Sequence, residues 1–232
     1  MTDDIWVLPA VVAGCFLLPL ALTVGVCLWE RRPVQPYFVP EPGTEYTPSG
    51  SAATANRAAE RAGFDFAGLC HDAKPLIWVR YDFRLSPDRD TLALIGSGTV
   101  AGVPQAGLSL YSATADGRVL ATGTVAGDAD ISGVEEQRVW PGSGFDAVWD
   151  RHQRRSAGVV VEPFPAASPL ASYFCIRRLK AEALVGRGYA RYLDADQAVW
   201  RYTLRGAVVF AVTAMWVRPV GRALRAIGLG SK

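Results

Sequence analysis

The chain lacks every short pattern that would name a chemistry. It has no G-x-S-x-G elbow, no H-E-x-x-H, no Walker loop and no EF-hand loop. It has 2 histidines, His71 and His152, and 4 cysteines, Cys15, Cys27, Cys70 and Cys175, with no C-x-x-C or zinc spacing among them. No metal ligand set and no cofactor is expected from such a chain. Charge is missing too over one long stretch: the 24 residues from Ile5 to Leu28 carry neither acid nor base.

That uncharged stretch is what the sequence does have. It reads IWVLPAVVAGCFLLPLALTVGVCL, enough to cross a ~30 Å hydrocarbon core at about 1.5 Å per residue. Pro9 and Pro19 are tolerable in a membrane helix, where neighbours re-satisfy the freed carbonyls. A cleaved leader would begin basic and end at a small-residue site, whereas Thr2-Asp3-Asp4 precede this run and Trp29-Glu30-Arg31-Arg32 follow it. A transmembrane anchor over residues 1–30 is expected. No Lys or Arg precedes the run and Arg31 and Arg32 follow it, so the positive flank belongs inside and the main domain in the cytoplasm. The expected location is the inner (cytoplasmic) membrane, single-pass or two-pass. Cys70 and Cys175 stay reduced in the cytoplasm; the reverse orientation would allow a disulfide between them.

Charge is divided unevenly. Residues 1–150 carry 10 basic and 18 acidic groups and residues 151–232 carry 14 and 4, although the whole chain nets +2. A basic tail on an acidic body suits attachment to anionic lipid, and equally a well-solvated basic helix. A length of 232 residues fits one domain with accessories. Residues 31–50 hold Pro33, Pro36, Pro40, Pro42 and Pro48, which forbid helix and favour an extended spacer. Such a spacer reaches up to about 60 Å.

Residues 51–158 read as an α+β domain. Ser51 to Gly63 is an alanine-rich helix with Thr54 as N-cap and Gly63 as its stop. Strand character recurs at Leu76–Phe83, Thr91–Ile95, Leu108–Ala113 and Arg118–Thr124, with Glu135–Trp140 as a fifth candidate. Turns at Ser86–Asp90 and Asp116-Gly117 join them into an antiparallel meander. Phe145–Arg155 places Phe145, Val148, Trp149 and His152 on one helical face, suited to covering the sheet. Residues 159–194 read as a connector and a basic helix, with Leu170–Asp194 mostly helical.

Gly96, Gly98 and Ala101 satisfy G-x-G-x-x-A after a strand, and Asp116 stands near where a ribose-binding acid would. A phosphate cradle needs those glycines to open a helix. Here Gly102, Pro104 and Gly107 follow, and the next strand starts too soon for a crossover. A glycine-rich loop between antiparallel strands is expected, and no nucleotide. SPDRDTLALI also resembles one hairpin of a propeller blade, but one meander is roughly one blade. Cys70-His71-Asp72 has the residue types of a thiol site, yet consecutive residues cannot face one another. Convergence of His71 with His152 and Cys70 or Asp72 would favour an enzyme; a loop His71 and a helical His152 would not. Aromatics interleaved with Arg from Tyr173 to Tyr202 would suit nucleic acid in a soluble chain. Beside a hydrophobic helix a water–lipid boundary explains them better, and no nucleic acid is expected.

Within residues 195–232, Gly206–Val217 is apolar on every face but only about 18 Å long as a helix. A second span and a surface helix are both open. The surface reading avoids carrying Arg218, Arg222, Arg225 and Lys232 across. Trp200, Arg201, Arg205, Trp216, Arg218, Arg222 and Arg225 are the expected membrane-contacting residues, binding lipid even without the N-terminal helix.

Tyr81-Asp82-Phe83, Leu85-Ser86-Pro87-Asp88-Arg89, Asp116-Gly117-Arg118 and Val199 to Gly206 (VWRYTLRG) resemble recurring blocks of uncharacterised membrane proteins of planctomycete-type bacteria. The likeness covers roughly residues 50–206 and implies one module with no known activity or site residues. The expected fold is α+β: an N-terminal transmembrane helix, a small antiparallel meander with packed helices, and a helical, membrane-associated C-terminal region. The expected function is that of a membrane-anchored, non-enzymatic interaction or scaffolding module whose partners are membrane lipid and an unspecified protein. The alternative is a membrane-bound enzyme, a hydrolase using His71, His152 and nearby carboxylates.

Overall fold

Leu92 to Ile95 are buried in unbroken succession, and the layering of the larger part of the chain follows from them. The computed structural model describes residues 7–34, 39–40, 50–74, 77–100, 103–125, 130–165, 169–194 and 196–217. In chain order the elements are α1 (Val7–Trp29), β1 (Arg32–Pro33), β2 (Val39–Pro40), α2 (Gly50–Arg61), β3 (Asp65–Lys74), β4 (Ile77–Leu85), β5 (Leu92–Val100), β6 (Val103–Thr114), β7 (Val119–Gly123), β8 (Glu135–Val139), α3 (Phe145–Ser156), β9 (Val161–Glu162), α4 (Pro169–Gly186), β10 (Ala190–Tyr192), β11 (Val199–Tyr202) and α5 (Leu204–Val212). A π-helical turn, Thr213–Val217, continues α5. The chain divides into a sheet unit (Val34–Gly127 with Gly133–Lys180) and a terminal unit (Met1–Pro33, Asp128–Ser132 and Ala181–Lys232).

The sheet unit is α+β, as expected. Its eight-stranded sheet runs β2-β3-β4-β5-β6-β7-β8, with β9 pairing β6. A strand with four buried residues in a row needs cover on both faces. On one face Ala93, Ile95, Leu108 and Leu110 meet α2 and α3 through Ala59, Phe145 and Val148. On the other, Phe83, Leu92 and Leu94 meet Phe164 and, from α4, Ile176. The expected helix face is observed: Phe145, Val148 and His152 are buried and Trp149 packs against the same core. Phe64 meets Phe145 and Trp149 edge-on, at 5.3 and 5.0 Å.

The meander is antiparallel from β2 to β7. The expected fifth strand departs from it: β8 runs parallel to β7, Val119 opposite Glu135 and Gly123 opposite Val139. The intervening connection is long enough to carry the chain back before pairing, which a hairpin cannot do. β3 has no counterpart among the expected strands, and His71, read as a loop residue, lies on it. Its register shifts between Phe66 and Gly68, and a bulge of this kind hides the two-residue period. The helix α2 begins earlier than expected, at Gly50. Thr54 is not its N-cap, because its Oγ1 donates to the Gly50 carbonyl at 3.3 Å. Gly63 does end the segment, at φ +81°, a conformation a side chain would strain.

The terminal unit holds α1, α5 and a three-stranded sheet in the order β1-β11-β10. The basic helix expected to continue to Asp194 stops at Gly186, and the chain enters β10 at Ala190. Along β11 Trp200 and Tyr202 are buried while Val199 and Arg201 are half-buried, a two-residue alternation. The proline segment is not wholly a spacer: Arg32–Pro33 pairs β11 and Val39–Pro40 pairs β3, each on a sheet edge where proline is tolerated. Its remaining prolines lie outside the described residues.

Among the described residues no helix is long and apolar enough to cross a membrane. The expected transmembrane helix is corrected to that extent. What is observed is an uncharged helix of 23 residues, about 35 Å long, whose described side chains begin at Gly14 and omit Phe16. α5 packs against α1, with Ala207 and Ala211 buried. The described part of the C-terminal apolar run therefore packs in one unit with the N-terminal helix.

Candidate functional site

The arrangement that most resembles a catalytic centre lies under α3. His152, Ser112 on β6 and Thr122 on β7 are all fully buried, each at 0% exposure. Alternation along β6 and β7 turns both hydroxyls toward α3. His152 Nε2 stands 2.9 Å from Ser112 Oγ, and Nδ1 2.9 Å from Thr122 Oγ1. Ser112 Oγ donates to the Asp90 carbonyl at 2.7 Å, and Thr91 Oγ1 donates to the Asp90 carboxylate at 3.0 Å. Arg155 Nη1 donates to Thr122 Oγ1 at 2.7 Å.

The shortest contact assigns the roles. With the single Ser112 hydrogen placed on the Asp90 carbonyl at 2.7 Å, rather than on Thr91 Oγ1 at 3.0 Å, Oγ accepts from Nε2–H. Nδ1 then accepts from Thr122. The imidazole lone pair faces Thr122, whereas a general base for Ser112 would need it at Nε2. Burial, with the Arg155 guanidinium second, holds the imidazole down at about 4, so it is neutral at physiological pH. This is a closed structural knot with no entry for substrate. Ser112→Ala leaves Nε2–H without a partner, and is expected to destabilise the sheet unit by about 1–3 kcal/mol in urea unfolding.

A second buried network binds α2 to β4. Arg84 donates from Nε to Asn56 Oδ1 and from Nη2 to Glu60 Oε1, both at 2.9 Å. Asp82 Oδ1 stands 3.3 Å from Arg84 Nε. Burial lifts the Asp82 carboxyl to about 6 against the pull of Arg84. The network is a helix–sheet fastening with its charges paired.

The residues of the thiol reading are not brought to His152. His71 sits in a row His71–Arg80–Ser97–Ala106 across β3, β4, β5 and β6. Ser112 lies a further six residues along β6, so the backbone sites are about 14 Å apart across the sheet and about 20 Å along it. Cys70 packs on the opposite face, with Phe83 and Ile176. Burial pushes its thiol up to about 11, so it stays protonated and is no nucleophile. Cys70 and Cys175 are both free. No group of three metal-ligating side chains occurs among the described residues. The glycine stretch is not a loop: Gly96 to Val100 continue β5, paired to β6 as far as Val100 opposite Val103, and Gly96 lies against the Tyr81 ring. No helix opens there to present amides to a phosphate.

The terminal unit carries the larger chemical oddity. Along α1, Cys15, Leu18, Leu22, Val26 and Trp29 are exposed, Leu18, Leu22 and Val26 each at 62% and Trp29 at 86%. Their spacing of three and four residues makes one continuous apolar face. On α5, Leu204 and Val208 are exposed as well. Directly after α1, Arg32 folds back among aromatics: its guanidinium carbon lies 4.9 Å from the Tyr202 ring, 5.6 Å from Phe210 and 5.7 Å from Trp200. Its Nη2 pairs with Glu30 at 2.5 Å. Such stacking favours a guanidinium over an ammonium.

Of the expected membrane-contacting residues, Trp200 is instead buried at 7%, edge-on to Tyr202 at 5.1 Å. Its place on β11 turns it inward. Arg201 lies on the outer face of β11, and Arg205 is exposed with its guanidinium 5.1 Å from the Tyr189 ring. Trp216 lies in the π-helical turn, and Arg218, Arg222 and Arg225 lie outside the described residues. Sequence reasoning used Arg32 only as a positive flank and missed its stacking on Tyr202, Phe210 and Trp200, and it missed the contact of His152 with Ser112. The spacing from β1 to β11 and from β6 to α3 is too long for any local pattern to reveal. No family model matches the chain, and neither a curated protein nor a solved structure matches it.

Proposed function

We propose that the chain is a membrane-anchored, non-enzymatic module in which α1 is the anchor and the sheet unit presents a surface to a protein partner. One observation carries the reading: the apolar face of α1, open from Cys15 to Trp29 on a helix without a charge. Four large side chains removed from water there are worth on the order of 6–12 kcal/mol, and a helix apolar all round belongs in a core or a bilayer. The short α5 lies beside it at the membrane boundary. Arg31 and Arg32, after α1, favour a cytoplasmic sheet unit. The likeness of the Tyr81–Arg89 and Val199–Gly206 blocks to membrane proteins of planctomycete-type bacteria is in keeping with this.

The non-enzymatic part rests on the closed Ser112–His152 geometry. Full-length protein in mild detergent, exposed to a fluorophosphonate that labels activated serines, is expected to remain unlabelled. Labelling of native Ser112, lost in Ser112→Ala, would overturn it.

A further inference from the structure

The outer face of the three-stranded sheet places like charges side by side. Arg191 on β10 is directly opposite Arg201 on β11. β11 pairs β1 with Arg32 opposite Trp200, and the same register carried one residue back sets Arg31 beside Arg201. Three arginines thus form one row across the sheet, Arg31–Arg201–Arg191, while Trp200 and Tyr202 face the other way. Arg31 and Arg191 are exposed and Arg201 is half-exposed. No described residue pairs with any of the three. The nearby Asp194 carboxylate is occupied in the turn, accepting from the Ala198 amide at 2.8 Å and the Val199 amide at 3.3 Å.

Directly opposed like charges destabilise a strand pair, and an anion lying over the row would relieve that repulsion. Guanidinium forks match phosphate oxygens in pairs. The row begins two residues beyond the end of α1 at Trp29, where headgroups would lie if α1 is the anchor. We infer that the Arg31–Arg201–Arg191 row binds the headgroup phosphates of anionic lipid. The inference rests on the membrane reading of α1 and gives that surface its lipid class.

The test uses full-length protein in neutral detergent micelles, titrated by calorimetry with short-chain phosphatidylglycerol, short-chain phosphatidylcholine and inorganic phosphate. Saturable binding of phosphatidylglycerol is expected, with the other two much weaker. Each removed charge near a lipid surface is worth roughly a factor of five, so the combined variant Arg31→Gln, Arg191→Gln, Arg201→Gln should bind about a hundredfold more weakly. The triple Arg→Lys variant, which keeps the charge but not the fork and guards against loss of fold, should bind more weakly than wild type and more tightly than the Gln variant. Equal affinity for both lipids, or an unchanged Gln variant, overturns the inference; inorganic phosphate binding as tightly as the lipid overturns its lipid source. Alkaline extraction of the wild-type chain from membranes, run in parallel, reports on the anchor alone. A chain that stays in the membrane but ignores phosphatidylglycerol refutes the inference and leaves the anchor standing.

Discussion

Replacing Leu18, Leu22 and Val26 together by aspartate is expected to move the chain from the membrane pellet to the supernatant of an alkaline wash. All three side chains point away from the terminal unit's own packing, so the change leaves the fold's contacts intact and acts on whatever surrounds α1. An aspartate costs roughly 2.5–3.5 kcal/mol near the middle of a membrane helix and less toward its end, and three outweigh much of the gain from burying the face. A control with aspartates at the exposed Gln153 and Arg154 of α3 and at Ala157 just after it should stay in the pellet. Retention of the α1 variant would mean that its outer face meets no lipid.

The second large effect is a pair of opposed pH dependences inside the sheet unit. His152 has its folded value held at about 4, below the ordinary 6.5. Between those values the unfolded chain binds the extra proton, so stability present above pH 6.5 is lost as pH falls toward 4. Asp82 has its folded value lifted from 3.8 to about 6. Across that window the folded chain holds the extra proton, so its contribution is present at low pH and lost as pH rises through 6. Each shift corresponds to about 3 kcal/mol, and in the wild-type chain they largely cancel between pH 4 and 6. Asp82→Asn should unmask the histidine, losing about 3 kcal/mol relative to wild type on acidification from pH 6.5 to 4. His152→Gln should gain a similar amount over the same range. Urea unfolding at several pH values checks both; variant-minus-wild-type differences that do not change with pH would contradict the assignment.

What could be read in the sequence was local. Phe145, Val148, Trp149 and His152 fall at helical spacing and all pack toward the core. Asp116-Gly117 marks a hairpin, with Gly117 at φ +77°, and the Ser86–Asp90 turn closes with the Ser86 amide donating to the Thr91 carbonyl at 2.9 Å. What could not be read depended on distant partners. The bulge in β3 disguised its period, and the parallel course of β8 follows from a connection rather than from Glu135–Val139 themselves. Trp200 and Tyr202 have the composition of interfacial aromatics, but two-residue alternation and pairing with Arg32–Pro33 turn them inward. His152 finds Ser112 40 positions away, which no spacing rule anticipates. The exposed face of α1 lies between these cases: the lack of charge was plain, while its arrangement into one open stripe beside α5 needed the packing.

The native cysteines offer the most direct test of the anchor. Cys15 lies on the open face of α1 and Cys175 on α4, and both are exposed, whereas Cys27 and Cys70 are buried. A maleimide reacts with a thiolate, which needs water. In sonicated membranes treated with a charged, impermeant maleimide, Cys175 should be labelled and Cys15 should not, and dissolving the membranes in detergent should raise Cys15 labelling toward that of Cys175. Labelling of Cys15 as fast as Cys175 in intact membranes would contradict the account.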